Sequence, residues 1–262
     1  MTARAVETHE GFHRLARSGF VARAVVYILV GILSVKLAVG SRGTQASQQG
    51  ALETVARQPF GKELLVLVAI GLASYALWRL YHALAGRGPE RADSGLDRVV
   101  ALASGLVYAG LCAIAVEILL GSGGSGSARR AAAGVLGWPG GTMLVGAAGV
   151  VLAGVGLLQG YRAFVKDFLE DSKTDEMSPA VRAWFEWIGS FGYLARMVVF
   201  VLVGAFLVEA AVTYDPSKAV GLDGALAKVV HAPAGSFLLA LVAAGLIAFG
   251  IYSLADARYR RL

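Results

Sequence analysis

Along this chain the hydrophobic positions gather into long runs without a single Asp, Glu, Lys or Arg, at residues 24–35, 64–78, 99–116, 131–161, 197–208 and 232–255. Three of these runs alone meet the roughly 18 apolar residues that a helix needs to cross a bilayer. The other three continue past one charged or basic stretch. Lys36 is followed by Leu37, Ala38 and Val39, Glu209 by Ala210, Ala211 and Val212, and Arg79 by Leu80 and Tyr81. Long basic side chains near the end of a span reach back to the headgroups. Only helices or closed barrels satisfy the backbone in lipid, and the runs lack the alternation of barrel strands. The pattern therefore predicts an all-α membrane protein with six transmembrane helices.

The pattern also repeats. Gly19-Phe-Val-Ala-Arg-Ala-Val-Val-Tyr-Ile-Leu-Val-Gly31 aligns with Gly192-Tyr-Leu-Ala-Arg-Met-Val-Val-Phe-Val-Leu-Val-Gly204, and Pro59, Gly61 and Gly71 align with Pro233, Gly235 and Gly245. A middle copy keeps the register through Tyr108, Pro139, Gly141 and Tyr161, with Ser104 where Arg23 stands and Cys112 where Gly31 stands. Three tandem two-helix repeats follow, at 11–86, 92–166 and 184–258, within a single membrane domain. Each reads as a first helix, a loop, a short amphipathic piece (51–57, 131–136 and 225–230) ending in Pro-x-Gly, and a second helix. The amphipathic pieces are expected to lie in the outer interface, with proline permitting the turn into the next span. An even number of helices per copy makes the copies parallel and relates them by a pseudo-threefold axis along the membrane normal.

Composition agrees and charge adds orientation. The 262 residues are 56% hydrophobic and 16% charged, with a mean hydropathy of +0.64, against about 25% charged in soluble domains. The termini and the segments around 79–98 and 162–196 hold 16 of the Lys and Arg residues, the three alternate loops 7. By the positive-inside rule both termini face the cytoplasm. The net charge of +6 is then read as orientation and contact with anionic lipid headgroups, not nucleic-acid binding. Arginines before the first run resemble a signal peptide, but the same pattern recurs near Arg196, so an uncleaved first helix is expected. The lone Cys112 reads as a small packing residue, and the glycine-serine run 121–127 as a flexible linker lacking the Lys-Ser/Thr of a phosphate loop. The tryptophans read as interfacial, Trp138 on the outer side and Trp78, Trp184 and Trp187 inside. Gly156 and Gly160, with the pairs at 105/110, 149/154 and 245/250, point to close helix packing or dimerisation.

The Gly-Phe-Val-Ala-Arg-x-Val-Val-Tyr-x-x-x-Gly run at 19–31 and the Pro-Phe-Gly…Gly-Leu-Ala-Ser-Tyr-Ala-Leu-Trp-Arg run at 59–79 resemble the DUF1206 family of bacterial membrane proteins. The resemblance covers nearly the whole chain, and implies three two-helix repeats in a bacterial cytoplasmic membrane. It implies no activity, catalytic residue or cofactor.

Two sets of residues are candidates for chemistry. Superposing the repeats places Lys36, Glu117 and Glu209 at one position, five residues after Gly31, Cys112 and Gly204. If the first helices pack about the axis, these form an ion or proton site near the outer face; the opposing reading is outward snorkelling or a structural salt bridge. Arg23, Arg79, His82, Arg162, Arg196 and Asp256 make a second set at the cytoplasmic ends, as snorkelling groups, partners of helix dipoles or a binding site. The histidines are dispersed and no catalytic, dinucleotide or metal motif is present, so a non-enzymatic protein without cofactor or metal is expected. Two functions compete: a small transporter or channel using the first set, or a scaffold or accessory subunit that binds lipid, another membrane protein or a second copy of itself.

Overall fold

The computed structural model describes residues 3–40, 46–85, 95–121, 133–219 and 221–260. The linker beyond Gly121 and the start of the second amphipathic piece lie outside the described residues. Nine α-helices are seen among the described residues: α1 (Ala3–Ala38), α2 (Gln48–Ala56), α3 (Gly61–Ala85), α4 (Gly95–Leu119), α5 (133–136 as described), α6 (Gly141–Val165), α7 (Pro179–Thr213), α8 (Leu222–Val230) and α9 (Gly235–Tyr259). No strand occurs among the described residues. Among the described residues six helices are long and apolar enough to cross a membrane. The 25-residue helices α3, α4, α6 and α9 are about 37 Å long at 1.5 Å per residue, more than the roughly 30 Å of a hydrocarbon core.

Each Pro-x-Gly turn is built alike. The middle residue adopts a left-handed conformation, with φ of 59° at Phe60, 77° at Gly140 and 56° at Ala234. The following glycine then donates its N–H to the residue three back, at 2.8 Å to Gln58, 2.9 Å to Trp138 and 2.8 Å to Ala232. A Cβ on Gly61, Gly141 or Gly235 would strike the carbonyl oxygen of Ala56, Val135 or Val229. Glycine is thus required at three equivalent places where a short helix hands the chain to a span. The short helices pack downward rather than lying free. Gly50, Ala51, Leu52 and Val55 of α2 are buried, as are Leu222, Ala225 and Leu226 of α8. The Ser47 hydroxyl caps α2 by accepting from the Gly50 N–H at 3.1 Å, which starts that helix three residues before the amphipathic run.

The long helices form an arc in the order α4, α3, α1, α9, α7, α6. The three most extensive contacts, α3 with α4, α6 with α7 and α9 with α1, each join the second helix of one copy to the first helix of the next. They are equivalents under the pseudo-threefold axis. Small residues make them close. A Cβ on Gly31 would meet the Ala243 carbonyl and one on Gly204 the Gly149 carbonyl, while at the same place in the middle copy the Cys112 thiol donates to the Ala69 carbonyl at 3.5 Å. Gly149, Gly156, Gly160 and Gly250 are all spent inside the bundle in this way. Within a copy, α1 packs on α3 and α7 on α9, but α4 and α6 hardly touch among the described residues. Among the described residues the ring of six is open between α4 and α6.

Candidate functional site

Of the two equivalent arginines, Arg196 lines a cavity and Arg23 belongs to a buried polar network. A cavity of about 520 Å³ lies inside the arc. Tyr27, Tyr108 and Phe200, the three equivalents of one repeat position, all line it, so the pseudo-axis runs through it. Its walls are aliphatic side chains of α4, α6 and α7, among them Val107, Leu111, Val151, Val155 and Val203, and Gln48 and Leu222 line it where the short helices approach. The flanking helices are the least buried of the six spans, at 17% for the α4 window and 22% for the α6 window. Both present apolar side chains around the opening.

One end of the cavity is polar. Ser104 and Arg196, which share a repeat position with Arg23, both line it. Arg196 is only 9% exposed and stands beside Phe249, more than half-way along α9. Its guanidinium lies over the rings of Phe249 at 4.4 Å, Phe200 at 5.1 Å and Tyr27 at 5.4 Å. Its Nε has no hydrogen-bond partner. Among the described residues it has no carboxylate at ion-pair distance. Cation–π contacts return about 0.5–2 kcal/mol each, whereas burying an ion costs several kcal/mol, so the charge is under-compensated by the protein. The Tyr108 hydroxyl, in the same cavity, is also buried without a partner.

Arg23 is satisfied differently. It donates to the Tyr75 hydroxyl at 2.8 Å and to Asp256 at 3.3 Å, and lies over Phe20 at 4.7 Å. Asp256 is fully buried and also accepts from Arg260 at 3.0 Å and from the Ser172 hydroxyl at 3.4 Å. Arg79 joins through the Tyr75 hydroxyl, at 3.0 Å, and Arg260 reaches Asp171 at 3.3 Å. Burial pushes the Asp171 carboxyl up to about 6, against the opposing pull of the Arg162 charge. The network ties α1, α3 and α9 to the loop 166–178, where Lys173 N–H also donates to the Tyr259 carbonyl at 2.7 Å.

The second set of sequence candidates thus divides. Arg23, Arg79 and Asp256 come together. His82 is buried and stacked on Trp78, Arg162 pairs with Asp167 at 3.6 Å, and Arg196 faces the cavity. The first set is not brought together: Lys36 and Glu117 are exposed and Glu209 pairs with Lys218 at 2.9 Å. None of the three lines the cavity. Trp78 is 4% exposed and edge-on to Phe20, packed inside the bundle. Tyr75, Ser172, Asp171 and Arg260 were not legible as partners, since Tyr75 reads as one more apolar position and the other three as loop or tail.

The comparisons agree with the repeat. The family described as Domain of Unknown Function (DUF1206) matches three times, over residues 18–86, 99–166 and 191–260. The chain belongs to the DUF1206 family. It is 34% identical to "Uncharacterized protein YxxB" of Bacillus subtilis (strain 168), across 98% of this chain and 94% of that relative. No solved structure matches it. The family carries no assigned chemistry, so in this DUF1206 chain the geometry of the cavity is the ground for a functional reading.

Proposed function

We propose that this protein is a non-catalytic, multi-pass protein of the bacterial plasma membrane, with both termini cytoplasmic, that holds an amphiphile drawn from the bilayer in its axial cavity. The observation that carries the reading is that α4 and α6 hardly touch among the described residues. A threefold ring that closed at α4 and α6 would seal the axis, and here the aliphatic walls meet lipid through the gap. A volume of about 520 Å³ falls within the roughly 300–1,000 Å³ of ligand pockets. The excess of Lys and Arg at the termini side supports the orientation. An ion path through the cavity gains no support from Lys36, Glu117 and Glu209, which do not line it.

Mass spectrometry of organic extracts of the protein purified in mild detergent tests this. Wild type should retain a bilayer amphiphile at near-stoichiometric amount, and Val151→Trp, which fills the cavity from α6, should lose it while eluting as the same species. Equal retention by the two proteins sinks the reading.

A further inference from the structure

Arg196 and its two repeat equivalents are handled unequally, and the inequality has a chemical consequence. The contact of α9 with α1 sets Asp256 against Arg23. By the repeat register, the position of Asp256 is held by His82 in the first copy and Arg162 in the middle copy, and the position of Arg23 by Ser104 and Arg196. The contact of α3 with α4 therefore brings a histidine toward a serine. The contact of α6 with α7 brings an arginine toward an arginine. Arg162 has its own carboxylate, Asp167, at 3.6 Å, and it supplies Arg196 with charge of the same sign. Among the described residues Asp167 is taken up by Arg162, and no carboxylate stands at ion-pair distance from the buried Arg196.

We propose that the amphiphile in the axial cavity is an anionic single-chain lipid, a long-chain carboxylate, whose headgroup is seated on Arg196 and the Tyr108 hydroxyl while its chain lies along the aliphatic wall of α6 and α7. Arg196 is nine-tenths buried, lines the cavity and has only ring faces around its guanidinium. Tyr108 adds a second unsatisfied donor in the same space. A carboxylate accepts from both, and charge-assisted hydrogen bonds of this kind are the strong ones. The walls beyond, Val151, Val155, Val203 and Leu207, offer nothing to a small hydrated anion and suit a hydrocarbon chain. This identity of the headgroup rests on the reading of the cavity as an amphiphile site.

Equilibrium binding of radiolabelled oleate and of oleyl alcohol at pH 8, to the full chain in nonionic micelles, separates the two levels. Wild type should bind oleate at least about tenfold more tightly than the alcohol, the size of one hydrogen-bonded charge. Arg196→Gln should erase that preference and leave the alcohol's affinity within about twofold, and Tyr108→Phe should reduce it in part. Arg196→Lys, which keeps the charge, should retain part of it. Equal affinity of wild type for the two probes, or an unchanged preference in Arg196→Gln, overturns the role of Arg196 while the cavity reading stands. Failure of both probes to bind wild type removes both readings. Should Arg196→Gln not fold, the wild-type ratio decides alone.

Discussion

Asp256 is the residue whose loss should be felt most. Its carboxylate is fully buried and stands between two buried guanidinium groups, Arg23 at 3.3 Å and Arg260 at 3.0 Å, with the Ser172 hydroxyl on its other oxygen. Asp256→Asn keeps the shape and removes the charge. Arg260 retains Asp171 at 3.3 Å, but Arg23 keeps only Tyr75 and ring faces. Removing one partner of a buried ion pair costs about 3–5 kcal/mol, because the other charge stays buried. Replacing Arg23 as well, by methionine, takes away the orphaned charge. The double variant should therefore be more stable than the two single losses add up to, with a coupling of about 1–3 kcal/mol. The unfolding free energy of the four proteins, from titration of mixed micelles with a denaturing detergent, gives the full cycle. An exposed pair such as Lys173 with Glu176 serves as the control, expected at about 1 kcal/mol or less. Single losses that add within about 0.5 kcal/mol, or an Asp256→Asn variant as stable as wild type, would refute the reasoning that burial makes this pair an obligatory one.

Two further outcomes follow from local geometry. Gly61→Ala and Gly235→Ala drive a methyl into a carbonyl oxygen at the Pro-x-Gly turn and should cost about 2 kcal/mol or more. Gly110→Ala and Gly154→Ala, where nothing lies within 4 Å, should be neutral or gain up to about 1 kcal/mol from helix propensity; equal effects in the two pairs would show the turns to be lax. For Asp171, the folded carboxyl at about 6 lies above the unfolded value of about 3.9. Its contribution is most favourable below about pH 4, where it is protonated in both states, and is lost as pH rises to about 6. Asp171→Asn should therefore gain on wild type across that window, by no more than about 3 kcal/mol, and a difference that stays flat with pH would exclude Asp171 as its source.

The fold was legible in the sequence because lipid leaves few choices. Charge-free runs locate the spans, and the repeated Pro-x-Gly fixes where each second helix begins, since only glycine fits beneath the preceding carbonyl. The small residues were legible as contact points but not as to whom they contact. Gly31 and Gly204 read as one repeated mark, and only the packing of each second helix on the next copy's first helix shows that they serve the same interface. Cys112 stands at the same place in the middle copy, where its small side chain donates through the thiol to the Ala69 carbonyl.

The site was less legible, for a reason of angle. Superposing the repeats rightly singles out an ionisable position at Lys36, Glu117 and Glu209, but each stands nine residues beyond the axial ring of its copy, at Tyr27, Tyr108 and Phe200. Nine residues at 3.6 per turn are two and a half turns, about 180°. A repeat whose rings face the axis must therefore turn those charges away from it, and the conservation of spacing among the copies carries the same orientation to all three. The informative position is the one that the copies do not share. By the repeat register Arg23, Ser104 and Arg196 correspond to Asp256, His82 and Arg162 in turn around the axis, and a strictly symmetric arrangement would pair all three or none. One pair closes, as Arg23 with Asp256; the middle copy, with Ser104 and Arg162, leaves Arg196 without an acid beside the gap where α4 and α6 part. The lack of an acid beside Arg196 among the described residues and the slight contact of α4 with α6 thus fall on the same side of the bundle, and the copies differ most where the cavity lies.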